Sequence, residues 1–113
     1  MKPSGSQRSI RLAEQIQREL AQLLIEEIQD PRLEFVTISG VRLNRDLRVA
    51  EVLFTLAADA DKIRAAEAGL AKAGGFLRAN LGKRLKLRFT PELRFRHDDF
   101  LEDMVYGKSD ATR

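Results

Sequence analysis

At 113 residues the chain has the length of one ordinary domain, and 43% hydrophobic with 33% charged residues is globular composition with a heavily charged surface. The absence of cysteine excludes a disulfide framework, a thiolate metal site and a thiol nucleophile, and it implies a reducing compartment. The net charge of +3 is only mildly basic, no apolar run approaches the ~20 residues of a membrane span, and MKPSGSQRS lacks the apolar segment of a secretory signal, so a cytoplasmic protein with no membrane contact is expected.

Residues 1–6, with Pro3, Ser4, Gly5 and Ser6, read as a disordered arm that ends in a helix cap at Ser6. A helix over residues 7–29 follows, because Ile10, Ala13, Ile16, Leu20, Leu24 and Ile28 step by three and four. Asp30-Pro31 ends it. On its flank Arg8, Arg11 and Arg18 fall on one polar stripe with Gln15 and Gln22. Two readings fit that stripe: a track for a phosphate backbone, or a solvated face made mixed in charge by Glu14, Glu19, Glu26 and Glu27.

Residues 35–43 and 47–56 are rich in β-branched residues and flank Asn44-Arg45-Asp46, which has turn chemistry, so they predict an antiparallel hairpin. The apolar parity of Val36 and Ile38 switches to Val41 and Leu43 across Gly40, which marks a bulge. Arg42, Arg45 and Arg48 gather around the turn, as a second basic spot or simply as a soluble hairpin tip.

Asp59 or Asp61 caps a second helical pattern, in which Ile63, Ala66, Leu70, Ala73, Leu77 and Leu81 hold the period. Gly74-Gly75 lies inside it, and two glycines there cost about 2 kcal/mol relative to alanines, so a break or sharp kink is predicted, with close approach of another backbone as the alternative. Gly82 reads as a helix stop. A third strand is expected from Leu85, where Leu85, Leu87, Phe89, Leu93 and Phe95 alternate with Lys86, Arg88, Arg94 and Arg96, and Pro91 makes it an edge strand or one that carries a bulge there. Residues 101–113 form a short polar tail.

Between Lys72 and Arg96 eight basic residues face a single acid, Glu92. Catalytic chemistry is sparse by comparison. There is one histidine, and His97-Asp98-Asp99 has no second cluster to complete a metal site, while phosphate-loop, dinucleotide and zinc-protease patterns are missing, so neither an enzyme nor a cofactor is expected. Binding remains. A kinked helix pair would present a second helix N-terminus to a phosphate, with Lys72 and Arg78 beside it and Lys83, Arg84, Lys86 and Arg88 continuing the basic track toward the sheet. Arg11 and Arg18 on the first helix join this candidate RNA-binding set. With the phenylalanines mostly on inward positions and no tryptophan, backbone and shape recognition of RNA is expected over base reading.

The element order helix, strand, strand, glycine-kinked helix pair, strand, together with Ala73-Gly74-Gly75, Leu81-Gly82-Lys83, Thr90-Pro91-Glu92-Leu93-Arg94-Phe95, Arg11-Leu12-Ala13-Glu14-Gln15-Ile16 and Asp30-Pro31-Arg32, resembles the bacterial ribosome-binding factor A family over residues 7–100. The resemblance implies an α+β, type II KH-like fold with a three-stranded sheet packed on helices. It also implies that the GxxG clamp of other KH domains, absent here, is replaced by an Ala-x-Gly kink at Ala73, Gly74 and Gly75. Such proteins are assembly factors that bind the immature small ribosomal subunit and its ribosomal RNA and assist late maturation, chiefly in the cold. A ribosome-dependent GTPase promotes their release. Many continue well past the Asp-Asp element, whereas this chain stops soon after Tyr106-Gly107. A monomer is the default expectation. The rival readings are a general KH-like RNA chaperone without ribosome specificity and a protein-interaction adaptor using the edge strand or the acids near residues 98–103.

Overall fold

In the computed structural model, which describes residues 5–99, Ser6 starts helix α1 (Gln7–Glu26) by accepting the Ser9 amide at 3.1 Å, and the Ser9 hydroxyl returns a bond to the Ser6 carbonyl at 2.9 Å. The first turn is thereby satisfied without an acidic residue. The helix buries Ser9, Ala13, Ile16, Leu20 and Leu23. That face is rotated slightly from the expected one: Ile10 is 51% exposed and Leu23 takes the place of Leu24.

Asp30 does more than end α1. Its carboxylate accepts the Arg32 amide at 3.0 Å and the Arg32 guanidinium at 2.8 Å, capping a short 3-10 turn (Pro31–Leu33) that drives Leu33 into the core. The next helix crosses this turn so closely that a β-carbon on Gly69 would lie 3.1 Å from both the Leu33 side chain and the Asp30 carboxylate.

Strands β1 (Thr37–Leu43) and β2 (Val49–Thr55) form the expected antiparallel hairpin, and the register shifts between Ile38 and Gly40, where the change of parity placed a bulge. Asn44 holds the turn through its carbonyl to Leu47 and its side chain to the Val49 amide, with Leu47 forced to a left-handed φ of 62°. Strand β3 (Glu92–His97) lies parallel to β2, giving the order β1-β2-β3 with β3 at an edge; Pro91 precedes the strand and so does not interrupt its ladder.

The helix joining β2 to β3 departs from expectation. Helix α2 (Ala60–Leu85), capped by Asp59, runs without interruption through Gly74 and Gly75 and past Gly82. The predicted break into two helices is therefore absent, and with it the second helix N-terminus. The magnitudes explain why: the two glycines cost about 2 kcal/mol, whereas burying Leu70, Leu77 and Leu81, all 0% exposed, contributes about 2 kcal/mol each. Close approach is not the reason for these glycines either, since a β-carbon on Gly74 or Gly75 would meet nothing within 4 Å.

The chain leaves α2 at Lys86, not at Gly82. Lys86 takes a left-handed φ of 52°, its amide bonds the Lys83 carbonyl, and the Leu87 amide bonds the Gly82 carbonyl at 3.0 Å, a complete Schellman ending without its usual glycine. Residues 86–91 are consequently a loop, and the third strand is shorter than predicted, beginning at Glu92. Within β3 the expected alternation holds, with Leu93 and Phe95 turned inward and Arg94 and Arg96 outward.

Both helices pack on one face of the sheet, α1 over β1 and α2 over β3, around Phe54, Val52, Ile16, Leu20, Leu70, Leu77 and Leu81. The α+β class and the three-stranded sheet on helices stand, with one continuous α2 in place of a kinked pair. Residues 1–4 of the expected arm, Phe100 and the tail over residues 101–113 lie outside the described residues.

Candidate nucleic-acid interface

The basic residues of the sequence divide, once folded, into those already neutralised and those still available. Arg84 belongs to the first group. It points from α2 to α1 and donates to Glu26 at 3.1 Å and Glu19 at 3.4 Å, so that Glu26 first, then Glu19, hold its guanidinium above its ordinary pKa. It is a clasp between helices, with its side chain only 31% exposed. The outward cations of the sheet are also engaged. Glu51 on the central strand receives Arg96 at 3.3 Å and Arg42 at 3.8 Å, and Arg94 bonds Glu92 at 2.8 Å, holding that carboxyl below its usual range.

Arg78 is half committed. Its guanidinium donates to the Thr90 carbonyl at 2.9 Å, tying α2 to the loop before β3, while it forms no ion pair with a carboxylate among the described residues. Arg11, Arg18, Lys72, Lys83, Lys86 and Arg88 are exposed and likewise form no ion pair among the described residues. Lys72 and Lys83 share the outer face of α2, since residues 72, 76, 79 and 83 step by four, three and four, and the half-exposed Phe76 lies between them. Ala73 and Gly74 are partly covered and Gly75 is open to solvent on the same helix. The track anticipated from Lys72 to Arg88 is therefore spread along roughly 20 Å of helix at 1.5 Å per residue and on into the following loop, with Arg84 paired to Glu19 and Glu26.

The fold builds something the sequence reading did not assemble. At the end of the molecule where α1 begins, the hairpin turns and α2 finishes, Arg8, Arg48, Arg78 and Arg88 line one groove of about 640 Å³, with Asp46 as its sole acid. Arg8 and Arg48 belong to separate basic spots in the sequence, and nothing in their spacing signals that they meet. Phe89 projects into the same groove at 82% exposed, contrary to its expected inward place, because the strand parity that turned it inward does not extend to a loop. The Arg88 guanidinium sits 6.0 Å from the centre of its ring.

Another large groove, about 610 Å³ between the end of α1 and the 3-10 turn, is lined mainly by apolar side chains such as Leu24, Ile25, Ile28 and Val36. It offers a polyanion nothing. The His97 imidazole contacts Asp99 at 2.6 Å and the Phe54 ring at 5.4 Å, and Asp98 accepts from Ser39 at 3.0 Å. Among the described residues no group of three metal-ligating side chains comes together and no helix is long and apolar enough to cross a membrane.

Comparison with known proteins agrees with the architecture. The model of the family described as ribosome-binding factor A matches residues 8–108. The chain is 45% identical over 100 residues to ribosome-binding factor A of Thioalkalivibrio sulfidiphilus, covering 88% of this chain and 78% of that one, and 49% identical over 98 residues to that of Alcanivorax borkumensis, covering 86% and 72%. Its fold superposes on the crystal structure of ribosome-binding factor A from Thermus thermophilus with a TM-score of 0.69 at 31% identity, over 79% of this chain and 94% of that one. A Thermus thermophilus homology model fitted into the cryo-EM map of a 30S complex gives 0.65 at 32% identity, over 78% and 92%. With the helix order, the bulged hairpin and the parallel edge strand all in place, the chain belongs to the ribosome-binding factor A family.

Proposed function

We propose that this protein is a ribosome assembly factor that binds the immature small ribosomal subunit through its ribosomal RNA and assists late maturation, including in the cold. The observation that carries this reading is the shared fold, at 32% identity, with the Thermus protein fitted into the map of a 30S complex. The arginine-lined groove supports it, because four guanidinium groups facing one carboxylate suit a phosphate-rich partner. Lys72, Ala73, Gly74, Gly75, Lys83 and Lys86 on α2, and Arg11 and Arg18 on α1, supply further contact along the outer faces of the helices. Arg84 positions α1 against α2.

The protein acts without catalysis, as a monomer in the cytoplasm, by preferring one conformation of its partner. A factor that binds an immature RNA arrangement more tightly than the mature one shifts the equilibrium toward the former, and it leaves when maturation removes the difference. A ribosome-dependent GTPase hastens that departure.

Sedimentation of the tagged protein from cell lysate through sucrose tests the reading. Cofractionation with free small subunits, absence from translating ribosomes and loss at raised salt are expected. Migration as free protein, or an even spread over every RNA-containing fraction, would overturn it.

A further inference from the structure

The loop over residues 86–91 holds one aromatic ring outward among cations, and the way it is held matters. On its α2 side the Schellman ending at Lys86 fixes the exit direction, and the partly buried Leu87 lines the groove. On its β3 side Pro91 is buried, the Glu92 amide bonds the Arg48 carbonyl at 2.8 Å, and Arg78 grips the Thr90 carbonyl. Arg88 and Phe89 are thus exposed side chains of a loop anchored at both ends.

A phenylalanine 82% exposed gains nothing for the fold, and its place in the groove is bounded by Arg8, Arg48, Arg78 and Arg88. A ring face with guanidinium groups around it matches one chemistry closely: a nucleobase stacks on the ring while the flanking phosphates meet the arginines. Base pairs in a duplex keep their faces covered by their neighbours, so only an unpaired nucleotide can use such a ring.

We infer that Phe89 is a base-stacking residue and that the groove takes a single-stranded stretch of RNA, with one unpaired base on the Phe89 ring and its phosphates on Arg8, Arg48 and Arg88. This rests on the ribosomal reading above and specifies the form of RNA at the site. It also departs from the expectation of backbone and shape recognition, which followed from placing Phe89 on the inward face of a strand.

The chain contains no tryptophan, so Phe89→Trp introduces a single tryptophan at the proposed contact, which can be excited selectively over Tyr106. Titrating the full-length variant with a short single-stranded oligoribonucleotide of mixed sequence should quench it, whereas the matching duplex should leave it bright. Phe89→Leu keeps an apolar side chain but removes the π face, and it should weaken binding of the single strand roughly ten-fold, with Phe89→Tyr restoring it. Because Phe89 is exposed, thermal melting of all three variants should match the parent. Equal affinity of the Leu variant and the parent, or equal quenching by duplex and single strand, would overturn the inference. Failure to bind the oligomer by a protein that still cofractionates with small subunits would overturn it too, while leaving the ribosomal reading intact. Loss of both would sink the reading on which it rests.

Discussion

Gly82 on α2 lies so close to Thr90 in the following loop that a β-carbon on the glycine would overlap the threonine hydroxyl. The contact brings the loop against the helix and sets the starting point of β3. Gly82→Ala gains about 1 kcal/mol of helix propensity but forces Thr90 to move, a clash that costs typically about 1–3 kcal/mol. A net loss of about 1 kcal/mol in denaturant unfolding is expected. In a Thr90→Ala background the overlapping oxygen is gone, so the same Gly82→Ala change should become stabilising. If the sign does not reverse between the two backgrounds, the close contact is not what selects glycine.

Gly74 and Gly75 behave oppositely, since each has open space where a β-carbon would go. Either alanine replacement should stabilise the isolated protein by up to about 1 kcal/mol by raising helix propensity. Circular dichroism melts would show it directly. A destabilised Gly74→Ala or Gly75→Ala variant would mean that α2 is bent or opened at this point in solution. Small-subunit binding by the same variants then reports separately on whether the partner approaches the bare backbone here.

These glycines mark the boundary of what could be read from the chain. The helix faces, the hairpin, the bulge at Gly40 and the inward Leu93 and Phe95 were legible because period and parity are local signals repeated over many residues. The course of α2 was not, because a local glycine cost was outweighed by the burial of leucines whose partners lie on other elements. Gly82 looked like a stop for the same reason: its need for glycine is steric and tertiary, set by Thr90. Of the candidate RNA-binding residues only Arg78 and Arg88 meet in the groove, joined there by Arg8, Arg48 and Phe89, which are remote in sequence or were assigned to a strand face. The acids that engage Arg84 lie 58 and 65 residues earlier in the chain, beyond the reach of any spacing rule.

Arg84 supplies a third prediction. Arg84→Glu would place a third carboxylate beside Glu19 and Glu26, so it should lower the melting temperature, and the deficit should shrink in concentrated salt as the repulsion is screened. Lys83→Glu, one residue away on the exposed face, should lose only the smaller helix-terminus contribution of about 0.3–1 kcal/mol and melt above the Arg84 variant. Combining Arg84→Glu with Glu19→Lys should recover part of the loss. Indistinguishable melts for the two single variants would remove Arg84 from its role as a clasp and return it to the pool of free surface cations.

The same division between spent and free charge predicts the salt dependence of binding. For single-stranded nucleic acid, each phosphate neutralised changes the slope of log affinity against log salt by about 0.7, through release of a condensed counterion. Arg88→Gln should therefore flatten the slope by about 0.7, and Arg48→Gln, whose guanidinium is only loosely engaged by Asp46 at 3.8 Å, by nearly as much. Arg84→Gln should leave the slope unchanged, because its charge is held between Glu19 and Glu26. Phe89→Leu should lower the affinity at every salt concentration and leave the slope alone, since stacking releases no counterions. Fluorescence anisotropy with the single-stranded oligoribonucleotide over a range of potassium chloride concentrations separates these outcomes. A flattened slope in the Arg84 variant, matching that of Arg88, would show that the RNA outcompetes the two glutamates and that the charge track follows α2 instead of the groove.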